Sequence, residues 1–162
     1  MNEQKFWELI ESAWRDVPLL DGLRREALKT NGVNLFEGLS FGLDDEVSEA
    51  LEDKLRELSK DDLVKFNHIM EEKLFRLDRE EIHQHTDGSD DGFLYCRGFI
   101  VGMGERYYNL VHTTPAKATT DAEAESIPFV GYRVYKEQFR EEFLRESVYP
   151  IGSGSNPDGW RD

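Results

Sequence analysis

Apolar residues recur every three to four positions along most of the chain, which is the spacing of an amphipathic helix. In the first segment, Phe6, Ile10 and Trp14 predict a helix over residues 3–15 with one side facing a core. A weaker repeat predicts a short second helix that ends near Asn31-Gly32. We therefore expect a mainly α-helical protein.

Residues 16–45 break this regularity. Pro18 and the Asp21-Gly22 pair interrupt the helical pattern, and the glycine-containing stretch GVNLFEGLSFG at 32–42 fits neither a helix nor a strand. We expect an expanded connection here that includes a packed loop. The glycines lack the spacing of a phosphate-binding loop, so the segment does not indicate a nucleotide site.

Two further helical patterns follow this connection. Three acids at 44–46 open the first, where they favour the positive end of the helix dipole. Ser59, with Asp62 three residues later, resembles a capping box and predicts a second helix from Lys60 to about Arg79. Because the connection between them is short, we expect the two helices to form an antiparallel hairpin.

The most apolar stretch of the chain predicts a central helix. Ser89 can cap a helix that runs from Asp90 to about Val111. Gly98, Gly102 and Gly104 each weaken a helix by about 1 kcal/mol relative to alanine. Their presence indicates that another backbone approaches closely at this helix.

The C-terminal part is less regular. Residues 113–126 predict an exposed, mobile loop, and residues 127–132 allow a short extended segment before a helix over 133–146. The glycine- and serine-containing residues 149–162 predict a flexible tail. A tail gains nothing from Trp160 unless the ring docks, more often on the protein itself than on a partner.

Together these patterns predict one helical domain over residues 1–148, followed by the tail. The chain has 162 residues, which is a usual size for a single domain. Aromatic residues make up 12% of it, so large rings can supply much of the core. We expect a bundle of five to six helices, with the extended segment near 127–132.

Charge and cysteine content limit the function further. Thirty-four acids against twenty bases give a net charge of -14, which repels phosphate backbones and anionic lipids and argues against nucleic-acid or membrane partners. No stretch approaches the roughly 18 apolar residues that span a bilayer, and no signal peptide is visible. Cys96 has no second cysteine for a disulfide, which favours a reducing, cytoplasmic location.

One cluster of residue types could bind a metal ion. Imidazole and carboxylate groups are common transition-metal ligands. However, the histidines precede a turn, and acids in the first turn of a helix are usually only solvated, so a structural explanation is the more common one. The cluster consists of His83, His85, Asp87, Asp90 and Asp91.

Arg97 lies on the otherwise apolar central helix. Such an arginine must reach the surface or pair with an acid, and Asp90 or Asp91 is one to two turns away. We expect a structural ion pair there. The alternative is contact with an anion or a protein partner.

Several of these motifs occur together in one known family. They are Phe6-Trp7 with Leu9-Ile10, the helix pair over 51–77, and the run SDDGFLYCRGFIVGMGERYY from Ser89, in which SDDGF-x-x-x-RG-F-I is the most specific part. Over most of residues 1–111 the chain resembles the bacterial family called domain of unknown function 4240. It departs from the family in LDREEIHQHTDG and in the expanded connection.

The resemblance implies a small helical fold and no particular activity. If the run is a family hallmark, it implies that Ser89, Asp90, Asp91 and Arg97 mark either a binding groove or only a helix cap.

Without a catalytic motif, the sequence favours a non-enzymatic binding module that needs no cofactor, such as an inhibitor or toxin-immunity protein for a basic partner. Acids outnumber bases by nine to three over 44–62 and by eight to three over 71–91, so we expect the partner there. The enzyme alternative is a metal-assisted hydrolase or transferase that uses the His83–Asp91 cluster. A purely structural role is a third possibility, and acidity that serves only solubility is common.

Overall fold

The computed structural model describes residues 1–30, 33–86 and 88–161, and within these ranges the chain is helical with no strand. This confirms the mainly α prediction, although the expected count of five to six helices was too low. The elements in chain order are α1 (Glu3–Arg15), α2 (Pro18–Thr30), α3 (Val33–Gly42), a π-helical turn (Leu43–Val47), α4 (Ser48–Leu55), α5 (Lys60–Arg76), the single turn α6 (Glu80–His83), α7 (Asp90–Gly102), α8 (Glu105–Thr113), two 3₁₀ turns (Pro115–Lys117 and Ile127–Phe129) and α9 (Val130–Phe139).

The expanded connection is largely helical, so the packed-loop prediction was wrong. Pro18 begins α2, where its missing N–H removes no helical hydrogen bond. The glycine-containing stretch forms α3, because Phe36, Leu39 and Leu43 recur at helical spacing and are buried. Tertiary burial here outweighs the low helix propensity of glycine. The predicted end of α2 near Asn31-Gly32 lies outside the described residues.

The capping prediction for α5 is confirmed, because the Ser59 Oγ accepts the Asp62 N–H at 3.1 Å. The helix ends at Arg76, three residues earlier than expected. The predicted hairpin does not describe the packing, however. Helices α4 and α5 each pack mainly on other helices, among them α1 and α9, rather than on each other.

The predicted central helix is two helices. Helix α7 ends at Gly102 and α8 begins at Glu105, with Gly104 between them at a φ of 103° that residues with a Cβ rarely adopt. The expected close approach occurs at Gly98, where a Cβ would lie 2.8 Å from the Ala124 carbonyl oxygen. Gly98 thus lets the 122–128 segment cross α7.

Two further predictions for the C-terminal third were wrong. In the 113–126 segment, which we expected to be exposed, Thr119, Ala122 and Ala124 are buried. Residues 127–132 are not extended, because a 3₁₀ turn at Ile127–Phe129 leads directly into α9. None of the described helices is long and apolar enough to cross a membrane.

Candidate functional site

The Ser89–Asp91 run begins α7 as the sequence predicts. The Ser89 Oγ accepts the Gly92 N–H at 3.0 Å, and the exposed Asp90 and Asp91 occupy the first turn. Carboxylates in that turn stabilise the positive end of the helix. In addition, the Asp90 carbonyl oxygen accepts the Ser153 hydroxyl at 2.6 Å. A binding role for these residues stays a prediction.

Arg97 is fully buried and connects distant parts of the backbone. Its Nη1 donates to the Leu74 carbonyl oxygen at 2.9 Å. Its Nη2 donates to the Ile151 carbonyl oxygen at 3.0 Å and to the Ser153 Oγ at 3.1 Å. The side chain therefore joins α7 to the end of α5 and to the C-terminal segment.

The ion pair that we expected for Arg97 is not formed with Asp90 or Asp91 in the described part of the chain. Burial lowers the pKa of the guanidinium to about 10, and the charge of Asp78 opposes that shift. Sequence reasoning missed this arrangement, because the acceptors are backbone carbonyls 23 and 54 residues away in the chain.

Asp78 is completely buried, and four N–H groups of the C-terminal segment donate to its carboxylate. We call Asp78, Arg97 and residues 151–160 the C-terminal clasp. The segment that we expected to be a flexible tail is therefore docked, and the prediction that Trp160 docks on its own protein is confirmed. The donors are the backbone N–H groups of Gly154, Ser155 and Asn156 and the indole N–H of Trp160, at 2.7–3.0 Å.

The histidine cluster does not form a metal site in the part of the chain that the structure describes. The His83 ring packs on Phe93 and Trp160, with centroids 4.9 and 5.3 Å away, whereas His85 is exposed. Asp87 lies outside the described residues. Within the described ranges, no three His, Cys, Asp or Glu side chains are arranged to hold a metal ion. His83 thus contributes to packing of the clasp.

Three segments that carry acidic side chains meet near Tyr95: the π-helical turn, the start of α7 and residues 123–126. Two hydrogen bonds fix these segments to one another: the Ser126 N–H donates to the Asp44 Oδ1 at 2.6 Å, and the Ala124 N–H donates to the Tyr95 carbonyl oxygen at 3.0 Å. We define the acidic face as Asp45 and Glu46 of the π-helical turn, Glu49 of α4, Asp91 of α7, and Glu123 and Glu125.

The acids nearest to Tyr95 act on its phenol. Desolvation raises the pKa of the Tyr95 phenol, and the charges of Glu125 and Asp91 raise it further. Five of the six acids form no ion pair with any described residue; these are Asp45, Glu46, Glu49, Asp91 and Glu125.

Other acids of the same region are paired. Glu52 of α4 contacts Arg133 at 2.7 Å and Arg56 at 3.1 Å, and Asp16 contacts Lys54 at 2.7 Å. The acid-rich stretch 44–62 therefore has two parts in the folded chain. The bases of the stretch form ion pairs on the side that faces α1 and α9, whereas the acids at its start form none with any described residue.

The described residues thus form a helical fold with an anchored C-terminal segment and an acidic face. The family model described as "Protein of unknown function (DUF4240)" matches residues 1–144. The chain belongs to this family, which confirms the resemblance. No curated protein and no solved structure matches the chain. The matched region ends before residues 151–160 of the C-terminal clasp.

Proposed function

We propose that this protein is a non-enzymatic binding module whose acidic face takes a basic protein partner, as an inhibitor or toxin-immunity protein would. The observation that supports the proposal is a set of exposed carboxylates without ion pairs among the described residues: Asp45, Glu46, Glu49, Asp91 and Glu125. Such a surface attracts a basic protein over long range and accelerates their encounter.

Part of the backbone of the acidic face is held in place by hydrogen bonds. Asp44 and the Tyr95 backbone fix the 124–126 segment at two points, so the backbone that carries Glu125 does not need to be ordered on binding. The half-buried Tyr95 ring lies among the acids, and tyrosine is a frequent anchor in interfaces. We therefore expect Tyr95 to contribute to affinity and the acids mainly to the association rate.

The test is affinity capture of the full chain from its native cell, followed by association kinetics with the captured protein. In the face variant, three acids of the acidic face lose their charge: Glu46→Gln, Glu49→Gln and Asp91→Asn. The control variant makes the same change in net charge at exposed acids elsewhere: Glu8→Gln, Glu26→Gln and Glu57→Gln.

We expect a stoichiometric basic partner whose association rate falls about tenfold with the face variant and much less with the control. The difference should shrink as salt is raised, because salt screens exposed charges. The absence of a stoichiometric basic partner, or equal losses in the two variants, would contradict the proposal.

A further inference from the structure

A cleft beside α5 combines a buried acid with an exposed arginine. Its volume is about 360 Å³, within the range of small-molecule sites. It lies where residues 145–152 pass over the end of α5. Polar walls come from Glu71, Arg145, Ser147 and Tyr149, and apolar walls from Val148, Pro150 and Ile151.

Glu71 is only 2% exposed and its carboxylate is incompletely satisfied. The Oε2 accepts the Ser147 hydroxyl at 2.8 Å. The Oε1 is buried and has no hydrogen-bond partner among the described residues. Buried carboxylate oxygens normally have donors, so this one is available to a donor that enters from the cleft.

Two neighbouring polar groups are also buried without a hydrogen bond in the described chain. Asn67 lies one turn before Glu71 on α5, and its Nδ2 is buried without a partner in the described chain. Its amide oxygen packs against Gly131, which precedes Tyr132 on α9. The Tyr132 hydroxyl has no hydrogen bond of good geometry in the described chain, but it interacts with the Glu71 carboxylate. Burial, together with that carboxylate, raises the pKa of Tyr132.

These three atoms form one group. Of the five buried side-chain atoms without a hydrogen bond in the described residues, three belong to Asn67, Glu71 and Tyr132. Together they offer an amide donor, a carboxylate acceptor and a hydroxyl that can do either. Of the three, Glu71 is the one that lines the cleft, so a polar ligand group that enters there meets the carboxylate first.

Arg145 supplies the opposite charge in the same cleft. Its guanidinium carbon lies 4.5 Å from the centroid of the Tyr132 ring, and it forms no ion pair with any described residue. Arg145 and Glu71 thus line one cleft without bonding each other. A ligand with only an ammonium group would be repelled by Arg145, and a ligand with only a carboxylate would be repelled by Glu71.

We infer that this cleft binds a small zwitterion, of which a free α-amino acid is the simplest. Its ammonium group donates to the Glu71 Oε1, and its carboxylate accepts from the Arg145 guanidinium. Its side chain packs on the apolar wall that Val148, Pro150 and Ile151 form. This site is separate from the acidic face, so either proposal can fail without the other.

The test titrates the ¹⁵N-labelled full chain with each of the twenty standard amino acids in turn. Methylammonium and acetate serve as the two separated halves. We expect at least one amino acid to shift amide resonances of residues 67–71 and 145–152 with saturation below about 1 mM, and each half to bind at least tenfold more weakly. A 1 mM dissociation constant corresponds to about 4.1 kcal/mol.

Glu71→Gln and Arg145→Gln should each weaken that binding at least tenfold. Glu142→Gln and Arg106→Gln are the charge-matched controls at exposed positions outside the cleft, and they should leave the affinity unchanged. Arg145 is exposed, so its variant tests the site even if Glu71→Gln folds poorly. Absence of saturable shifts with all twenty amino acids, or binding that both cleft variants retain, would overturn the inference.

Discussion

Asp78 and Glu71 are two carboxylates buried to a similar degree near the end of α5, with 0% and 2% of their surfaces exposed. Four N–H groups donate to Asp78, whereas one hydroxyl donates to Glu71 and leaves its second oxygen without a partner in the described chain. Burial alone therefore does not distinguish a structural acid from a ligand-binding one. The two differ in how many hydrogen bonds the carboxylate accepts from the protein.

The source of the donors explains the difference. Asp78 receives three successive backbone N–H groups, a concave arrangement that suits an anion. Glu71 depends on the side chain of Ser147, in a segment that has no regular secondary structure. One carboxylate closes the C-terminal clasp, and the other lies at the wall of an open cleft.

The largest expected effect is at Asp78. Asp78→Ala would leave four N–H donors without their acceptor and leave the buried Arg97 without its nearby negative charge. We expect it to lower the free energy of unfolding by about 3 kcal/mol or more, as measured by urea denaturation. Asp78→Asn keeps one acceptor oxygen and should lose less. A loss below about 1 kcal/mol for Asp78→Ala would show that the clasp adds little stability.

A smaller effect is expected at Trp160. Its indole donates to Asp78 and its ring packs on His83 and Phe93, but the side chain is only half-buried. Trp160→Ala should therefore cost about 1–2 kcal/mol in the same measurement, less than for a fully buried tryptophan. The control is Val148→Ala, because Val148 is 81% exposed and should change stability by less than about 0.5 kcal/mol. Equal effects of the two substitutions would contradict docking of the tryptophan.

Glu71→Gln should behave in the opposite way to Asp78→Ala. Burial raises the pKa of Glu71 above its ordinary 4.5, although Ser147, His68 and Arg145 oppose the shift. The folded state therefore binds this proton more tightly than the unfolded state does. Ionisation of the carboxylate consequently lowers the free energy of unfolding as pH rises from about 4.5 through the raised pKa of the folded state.

We thus expect Glu71→Gln to be within about 1 kcal/mol of the parent at pH 7, or more stable, and its stability advantage to disappear as pH falls toward 4.5. Unfolding by urea at several pH values measures this difference. His68 is present in both proteins, so its titration largely cancels in the comparison. A loss of several kcal/mol at pH 7 would place Glu71 with Asp78 as a structural acid.

The smallest effect concerns the exposed acids. Asp45 and Glu49 are four residues apart on continuous helix, so their repulsion should be partly relieved in Glu49→Gln, with a gain of about 0.2–0.5 kcal/mol at low salt. Asp53→Asn is the matched control, because it removes an ion pair with Arg56 at 2.7 Å and should not stabilise the protein. Thermal unfolding at low and high salt would measure both. A loss of stability in Glu49→Gln would mean that the acidic face is neutralised within the fold.

The sequence by itself determined those parts of the structure that local interactions specify. It predicted the bounds of α1 and the caps at Ser59 and Ser89, because a helical repeat and a serine cap involve residues only three or four positions apart. It also indicated that Trp160 docks, since an exposed tryptophan in a tail gains nothing. The resemblance to the family was likewise drawn from local motifs, and the family match over residues 1–144 confirms it.

Only the tertiary structure decided where distant segments meet. Helix α3 forms in the glycine-containing stretch because the core buries its apolar side, and α7 ends where Gly104 turns the chain. Nothing in the local sequence marks Arg97, Asp78 or Glu71 as special among the charged residues. Their roles follow from the carbonyl, N–H and hydroxyl groups that they contact 23 to 82 residues away in the chain. No local pattern encodes such partners, because folding brings them together through packing of the whole chain.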